Sequence, residues 1–463
     1  MRLSFRNTPK HYQRHVYDRF GDVISTPSFD HIDKTPTGWL IVGDHRAELA
    51  AKVASIVERY GVGVGMMVLH AQQLCARHIP FEIPLDGESQ DPAQPTRRLH
   101  GTRGESVLYV PVRKYRNDID KLAELNIVKP QQLWDESRII SHERDHRPCF
   151  YCSSSEMNPS EVVVALDGAG RGLSRSYQLG FTFAPFGDPR SVMHFLAWDS
   201  SENPLNMNLT PWTVSDLVQL TAQVNLSIST FFAGTGVEDF PVIDGLSNGW
   251  AGNSIYHQHF QFFQPEFAPP IGATNLPQGK PLVKRDDVEV HRLSWETAVY
   301  KVVADDPINV GFVGKEITGA WLLLCGAKKV GYKGFPDGHV VREDEKVPVH
   351  TQNLYVPGAD VGRTAYILPR DRRRIDFEPG RAEYVNKPAG RKAQRKRNIG
   401  VLEATGTALF DEAASFDEMA TWGPADITAQ VDKMARAVQP ERDAVNRLER
   451  SIRELFPHEP TRF

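Results

Sequence analysis

Apolar and polar positions alternate with two different periods along this chain, and the changes of period mark its elements. From Asp44, a natural N-cap, Leu49, Val53, Ile56 and Val57 recur at helical spacing up to a stop at Gly61, which predicts a helix. A second helix is signalled by Thr210 as N-cap and Pro211 in the first helical position. Leu217, Leu220, Val224, Ile228 and Phe231 follow, and Gly234 and Gly236 end it. Short apolar runs at Val162–Leu166 and His194–Trp198 read as strands. From Tyr256 to Phe263 the period becomes two: Tyr256, Phe260 and Phe262 fall on one side, and His257, His259 and Gln261 on the other. The segment from Ala425 to Phe456 is amphipathic and charged, with a break at Pro440. Residues 86–95 read as an exposed loop, and no short-period repeat or low-complexity tract interrupts the pattern.

Length and composition narrow the class. A chain of 463 residues buries ample apolar surface and suggests two or three domains. With 24% charged residues and a net charge of −4, it has no global basic footprint, so neither nucleic acid nor membrane is expected as a partner. Four cysteines do not make a secreted disulfide framework. No apolar run approaches the roughly twenty residues that span a bilayer. The first ten residues lack the apolar core of a signal peptide, and the expected location is the cytoplasm.

The chemistry concentrates at Gly252-Asn253-Ser254-Ile255-Tyr256-His257-Gln258-His259-Phe260-Gln261. A His-x-His pair arises by chance in a chain with 16 histidines, but an amide two positions later, on the same strand face, is far more selective. A neutral imidazole has a free lone pair at pH 7 and can form a covalent intermediate that divides phosphoryl transfer into two displacements.

At these residues the chain resembles the histidine-triad superfamily, in its galactose-1-phosphate uridylyltransferase-like branch, whose Gly-x-Ser-x-x-His-x-His-x-Gln signature is matched without a gap. The resemblance implies an α+β fold of antiparallel sheets flanked by helices. It implies His259 as the nucleophile, with the other ring nitrogen held by the backbone carbonyl of His257. Gln261 stands where hydrolytic members carry a third histidine, and an amide donates to phosphate oxygens without activating water, so transfer is favoured over hydrolysis. Ser254 and the amides around Gly252, with Asn248 and Asn253, are expected to hold phosphate oxygens, and Asn248 and Gly249 to complete the turn. Further matches extend the resemblance over roughly residues 146–410, upstream at Cys149-Phe-Tyr-Cys152, Asn158–Glu161 and Ala184–Phe186. Weaker ones downstream, at Gln352–Tyr355, Ala365–Arg370 and Ile399–Glu403, resemble the C-terminal half of dinucleoside polyphosphate phosphorylases and GDP-hexose phosphorylases, and the resemblance places Asn353 and Arg370 among the nucleotide- or phosphate-binding residues.

The expected reaction is nucleotidyl transfer from a nucleotide sugar or dinucleoside polyphosphate to phosphate or a sugar phosphate. A hydrolase of the same superfamily and a non-catalytic nucleotide-binding module are the alternatives. The expected layout is an N-terminal region over 1–145 of unassigned role, a catalytic half over 146–285, and a C-terminal half with a helical tail over 286–463, with a homodimer in view. No organic cofactor is expected.

Cys149 and Cys152 have the spacing of one zinc knuckle, and the resemblance adds His257 as a ligand. The histidine that the family places beyond the strand at His194 is missing, which leaves His194 itself, His146 or Asp199 to complete a structural zinc site. Two reduced cysteines are the alternative, ahead of a redox pair. Three further patterns carry less. His142-Glu143-Arg144-Asp145-His146 spells a zinc-protease motif that Pro148 cuts short. Gly168-Ala-Gly170-Arg-Gly172 is better read as a turn than as a dinucleotide loop, and Arg391–Arg397 as a solvated basic loop.

Overall fold

The structure is a computed structural model. It describes residues 12–24, 32–35, 38–41, 43–77, 97–110, 162–182, 186, 193–199, 211–238, 240–247, 259–265, 269–272, 279–285, 287–325, 328–332, 335–340, 350–371, 399–410 and 413–456. The described chain opens with α1 (Tyr12–Phe20), a hairpin of β1 (Ile32–Thr35) and β2 (Gly38–Ile41), α2 (Gly43–Tyr60) and α3 (Val62–Arg77). A second hairpin, β3 (Arg97–His100) and β4 (Ser106–Tyr109), follows. Next come β5 (Val164–Leu166), β6 (Tyr177–Phe181), β7 (His194–Asp199), α4 (Pro211–Phe232), β8 (Asp244–Ser247) and β9 (His259–Phe263). Then β10 (Val283–Arg285), β11 (Val288–Arg292), β12 (Tyr300–Ala304), α5 (Pro307–Leu324), β13 (Lys328–Tyr332), β14 (Phe335–Val340), β15 (His350–Val356) and β16 (Thr364–Asp371) repeat that pattern with one added hairpin. The described chain closes with α6 (Val401–Ala404), β17 (Thr407–Phe410), α7 (Ala413–Met419), α8 (Pro424–Arg436) and α9 (Arg442–Leu455).

Among the described residues, ten strands form one antiparallel sheet in the order β10-β11-β12-β16-β15-β8-β9-β7-β6-β5. Read outward from the β8–β15 junction, the two wings have the same sequence of strands. β8 matches β15, β9 matches β16, β7 matches β12, β6 matches β11, and β5 matches β10. A pseudo-twofold axis through the Leu246–Tyr355 pair, perpendicular to the sheet, accounts for this. The registers then superpose strand on strand: His259 falls on Thr364, Gln261 on Tyr366, and Asp244 on Asn353. α4 and α5 are equivalent crossovers on one face, each opening with proline.

Physical chemistry explains the layers. Leu217, Val218, Leu220, Val224 and Ile228 of α4 are buried against Phe260, Phe262, Leu354, Val356, Ala365 and Ile367 of the sheet. Asp306 caps α5 by accepting from the Ile308 N–H at 2.9 Å, with Pro307 in the first helical position. Gly311 and Gly314 let α5 lie close to α4, since a Cβ at either would stand 2.9 Å from Ser215 Oγ or Val214 Cγ1. α1 to α3 and the buried side of α9 join this same core.

The opposite sheet face is partly covered by a second layer, in which β17 pairs parallel with β4 and β3 antiparallel with it. Val107, Tyr109, Val401, Phe416, Ile427, Val431 and Met434 bury Leu246, Phe263, Tyr355, Tyr366 and Leu368. Arg103 fixes this layer by donating to Glu105 at 2.7 Å and to Asp432 of α8 at 2.5 Å. Among the described residues the fold is thus α+β with a large antiparallel sheet and no barrel, and no helix is long and apolar enough to cross a membrane. The turn expected at residues 168–172 is a short 3-10 segment, Ala169–Arg171, with Gly172 left-handed at φ 70°.

Candidate functional site

Strand alternation and the position of the core fix what β9 presents. Phe260 and Phe262 are buried beneath α4, so His259, Gln261 and Phe263 point to the other face. His259 is 6% exposed and Gln261 is half-buried, an imidazole and an amide one pleat repeat apart on a strand braced from behind by aromatic rings. Phe262 stacks on Phe195 with centroids 5.0 Å apart, and Phe260 packs on Tyr177 at 5.4 Å.

Two rows of side chains cross this face. One runs Gly180, Leu196, Gln261, Leu246, Tyr355, Tyr366, through both halves of the sheet. In the other, Gln178 stands opposite Trp198 and Trp198 opposite His259. Asn353, like His259, lies two residues before the first row, on a strand running in the same direction with only β8 between. About 10 Å therefore separates their Cα atoms. Asn353 Oδ1 accepts from Nη1 of Arg370, and both side chains are buried. The structure thus puts His259, Gln261, Asn353 and Arg370 on one face.

Sequence reasoning passed over a carboxylate on this face. Asp244, 3% exposed, accepts from the Tyr355 hydroxyl at 2.5 Å and from the Gly358 N–H at 2.8 Å, joining the first half of the sheet to the second. Burial pushes its carboxyl up to about 6 despite those two donors, with Asp360 adding to the rise. The Tyr355 hydroxyl is held well above its ordinary range, first by burial and then by the neighbouring Asp244. Asp244 pairs with Phe263, four residues along β9 from His259, so it stands about 13 Å from the imidazole's level. It is a clamp between halves and not a proton donor to His259.

His194 is also on this face, opposite Phe263, with its Nδ1 accepting from the Phe186 N–H at 3.1 Å and its ring 4.3 Å from that of Phe186. Its partner Phe263 is four residues along β9 from His259, at the end of the strand remote from His257, so the expected place of His194 in a zinc site with His257 is corrected: about 13 Å separates it from the level of His259 alone. Asp199, weighed above as an alternative to His194 in the zinc site, is corrected by the strand alternation: it follows Trp198, the register partner of His259, and so faces α4, away from the face of His259, where Arg175 pairs with it. Among the described residues no group of three or more His, Cys, Asp and Glu is placed to hold a metal ion. Cys149, Cys152, His146, Asn248, Gly252, Asn253, Ser254 and His257 lie outside the described residues.

No family model, curated protein or solved structure matches this chain. The functional reading therefore rests on the residues themselves. Besides Asp244, the face holds Trp198 and Gln178, which no local pattern announces, because both are defined by pairing across strands distant in sequence. Tyr355 is different, since it stood within the Gln352–Tyr355 match without an assigned role.

Proposed function

We propose that the chain is a nucleotidyltransferase that works through a covalent nucleotidyl-His259 intermediate. The observation that carries this reading is the pairing of His259 with Gln261 on one face of β9, over an aromatic backing that keeps the strand rigid. In the first displacement the imidazole lone pair attacks the α-phosphorus of a nucleotide sugar or dinucleoside polyphosphate. The bond to the leaving phosphate oxygen breaks, and that oxygen takes the electron pair. In the second, an oxygen of phosphate or of a sugar phosphate attacks the same phosphorus, and the phosphorus–nitrogen bond returns its electrons to His259. Gln261 donates to a non-bridging oxygen throughout and, being an amide, takes no proton from water. Ser254, Asn248, Gly252 and Asn253 are assigned to the remaining oxygens. Arg370, oriented by Asn353, supplies positive charge on the side of the second half.

For the metal, a thiolate pair with an imidazole is part of a zinc donor set, and we assign Cys149, Cys152 and His257 to a structural ion that takes no part in the displacements. Metal analysis of the protein beside Cys152→Ser tests this.

The reaction is tested by intact-protein mass after brief incubation with pooled ADP-, GDP-, UDP- and CDP-sugars and dinucleoside polyphosphates, beside His259→Ala. The expected result is a gain of one nucleoside monophosphate in the wild type and none in the variant. Binding without an adduct in either would overturn the covalent mechanism. Turnover without added phosphate or sugar phosphate would replace transfer by hydrolysis.

A further inference from the structure

The row that holds His259 continues away from the second half of the sheet. Trp198 is its register partner on β7, and Gln178 is the partner of Trp198 on β6. All three side chains project from the face opposite α4, because the alternating residues Leu179, Phe195, Ala197, Phe260 and Phe262 are in the helical core. Directly opposed residues of an antiparallel pair keep their Cβ atoms about 5 Å apart, so the indole stands against the β7 side of the imidazole. Trp198 is 0% exposed, and its Nε1 donates to Gln178 Oε1 at 2.8 Å. A buried indole N–H needs an acceptor, and any carbonyl would satisfy it. Here the acceptor is a side chain in the same row, which fixes the tilt of the ring as well as pairing its donor.

We infer that Trp198 and Gln178 are positioning residues for His259, an inference that rests on the nucleophilic role proposed for that histidine. Gln178 fixes the indole, the indole limits the rotation of the imidazole, and the attacking nitrogen is kept on the line of displacement. An error of about 1 Å at a nucleophile costs up to about 100-fold in rate, so a brace one residue deep has kinetic consequences without touching substrate. Fully buried Trp198 offers no surface to a nucleotide, which separates this role from base stacking.

The test uses the full-length chain with ring-15N histidine, the His259 signals being assigned by their loss in His259→Ala. Gln178→Met keeps the volume and removes the acceptor. The expected result is that the His259 ring signals shift or broaden while those of His15 and His291 do not. Adduct formation at saturating donor is expected to slow about tenfold, with half-saturation changed less than twofold. A lower melting temperature with unmoved His259 signals and an unaltered rate would mean a packing role only and would overturn the inference. If Gln178→Met does not fold, Trp198→Phe, which keeps an aromatic ring without the donor, is read in the same way. Should the wild type form no adduct, the nucleotidyl reading fails on its own, and the ring signals still decide whether the brace exists.

Discussion

Asp244 is a carboxylic acid with almost no water around it, and its ionisation should be visible in the stability of the whole protein. Its carboxyl is raised from 3.8 to about 6 in the folded state. Below about pH 4 it is protonated whether the chain is folded or not, and the group costs nothing. As pH rises from 4 through 6 the unfolded chain ionises first, so stability is lost over this window, by about 3 kcal/mol once both states are charged. Asp244→Asn removes that titration while keeping an oxygen for the Gly358 N–H and an amide for the Tyr355 hydroxyl. Denaturant midpoints between pH 4 and pH 7 are expected to fall less steeply in the variant than in the wild type. Parallel profiles would mean that Asp244 does not titrate in this range.

At the scale of elements, the seat of β8 under α4 is decided by an absent side chain. A Cβ at Gly245 would lie 2.2 Å from Thr221 Oγ1 and 3.0 Å from Leu217 Cδ1. Gly245→Val drives a branched side chain into that contact, and the helix or the strand must retreat, at a cost of roughly 2–4 kcal/mol. Because β8 lies between β9 and β15, the same displacement should separate His259 from Asn353 and weaken nucleotide binding by more than the stability loss alone. Chemical denaturation and donor titration measured on one preparation check both parts. A variant as stable as the wild type would show that the close approach is not a constraint. These elements differ in how far they could be read in advance. α2 and α4 announced themselves by helical spacing and β9 by alternation, since those signals are local, although α2 begins at Gly43, one residue ahead of the Asp44 expected as its N-cap, and Thr210 lies outside the described residues. The opposition of Trp198 and His259 was invisible, because register is set by pairing between segments sixty residues apart. Asp199 and His194, the alternatives for a zinc ligand on this strand, misled for the same reason: position along β7 in the sequence says neither which face a residue points to nor which level of β9 it meets.

For the molecule as a whole, duplication is the main feature that the sequence concealed. The two wings of the sheet superpose strand by strand. Yet equivalent positions carry different chemistry, His259 against Thr364 and Gln261 against Tyr366, so no repeat is legible in the residues. What the wings share is a pattern of burial, which many sequences satisfy. The consequence is one continuous sheet with two unlike faces. The helical face is closed by α4 and α5, elements of the wings themselves, whereas the face of His259 depends on segments from both ends of the chain. β3 and β4 come from residues 97–109, and α6, β17, α7 and α8 from residues 401–436. Together they bury Leu246, Phe263, Tyr355, Tyr366 and Leu368, and Glu105, 0% exposed, is tied to them through Arg103 and Thr428. Removing residues 399–463 should therefore do more than shorten the protein. It uncovers a contiguous apolar patch, strips β4 of its parallel partner and leaves a buried carboxylate without its second layer. A chain ending at residue 398 is expected to bind a hydrophobic dye strongly and to lose the sharp thermal transition of the full chain, with the nucleotide adduct abolished. A truncated protein that melts as sharply, at the same temperature and without dye binding, would mean that the wings and α1 to α3 alone form the cooperative unit.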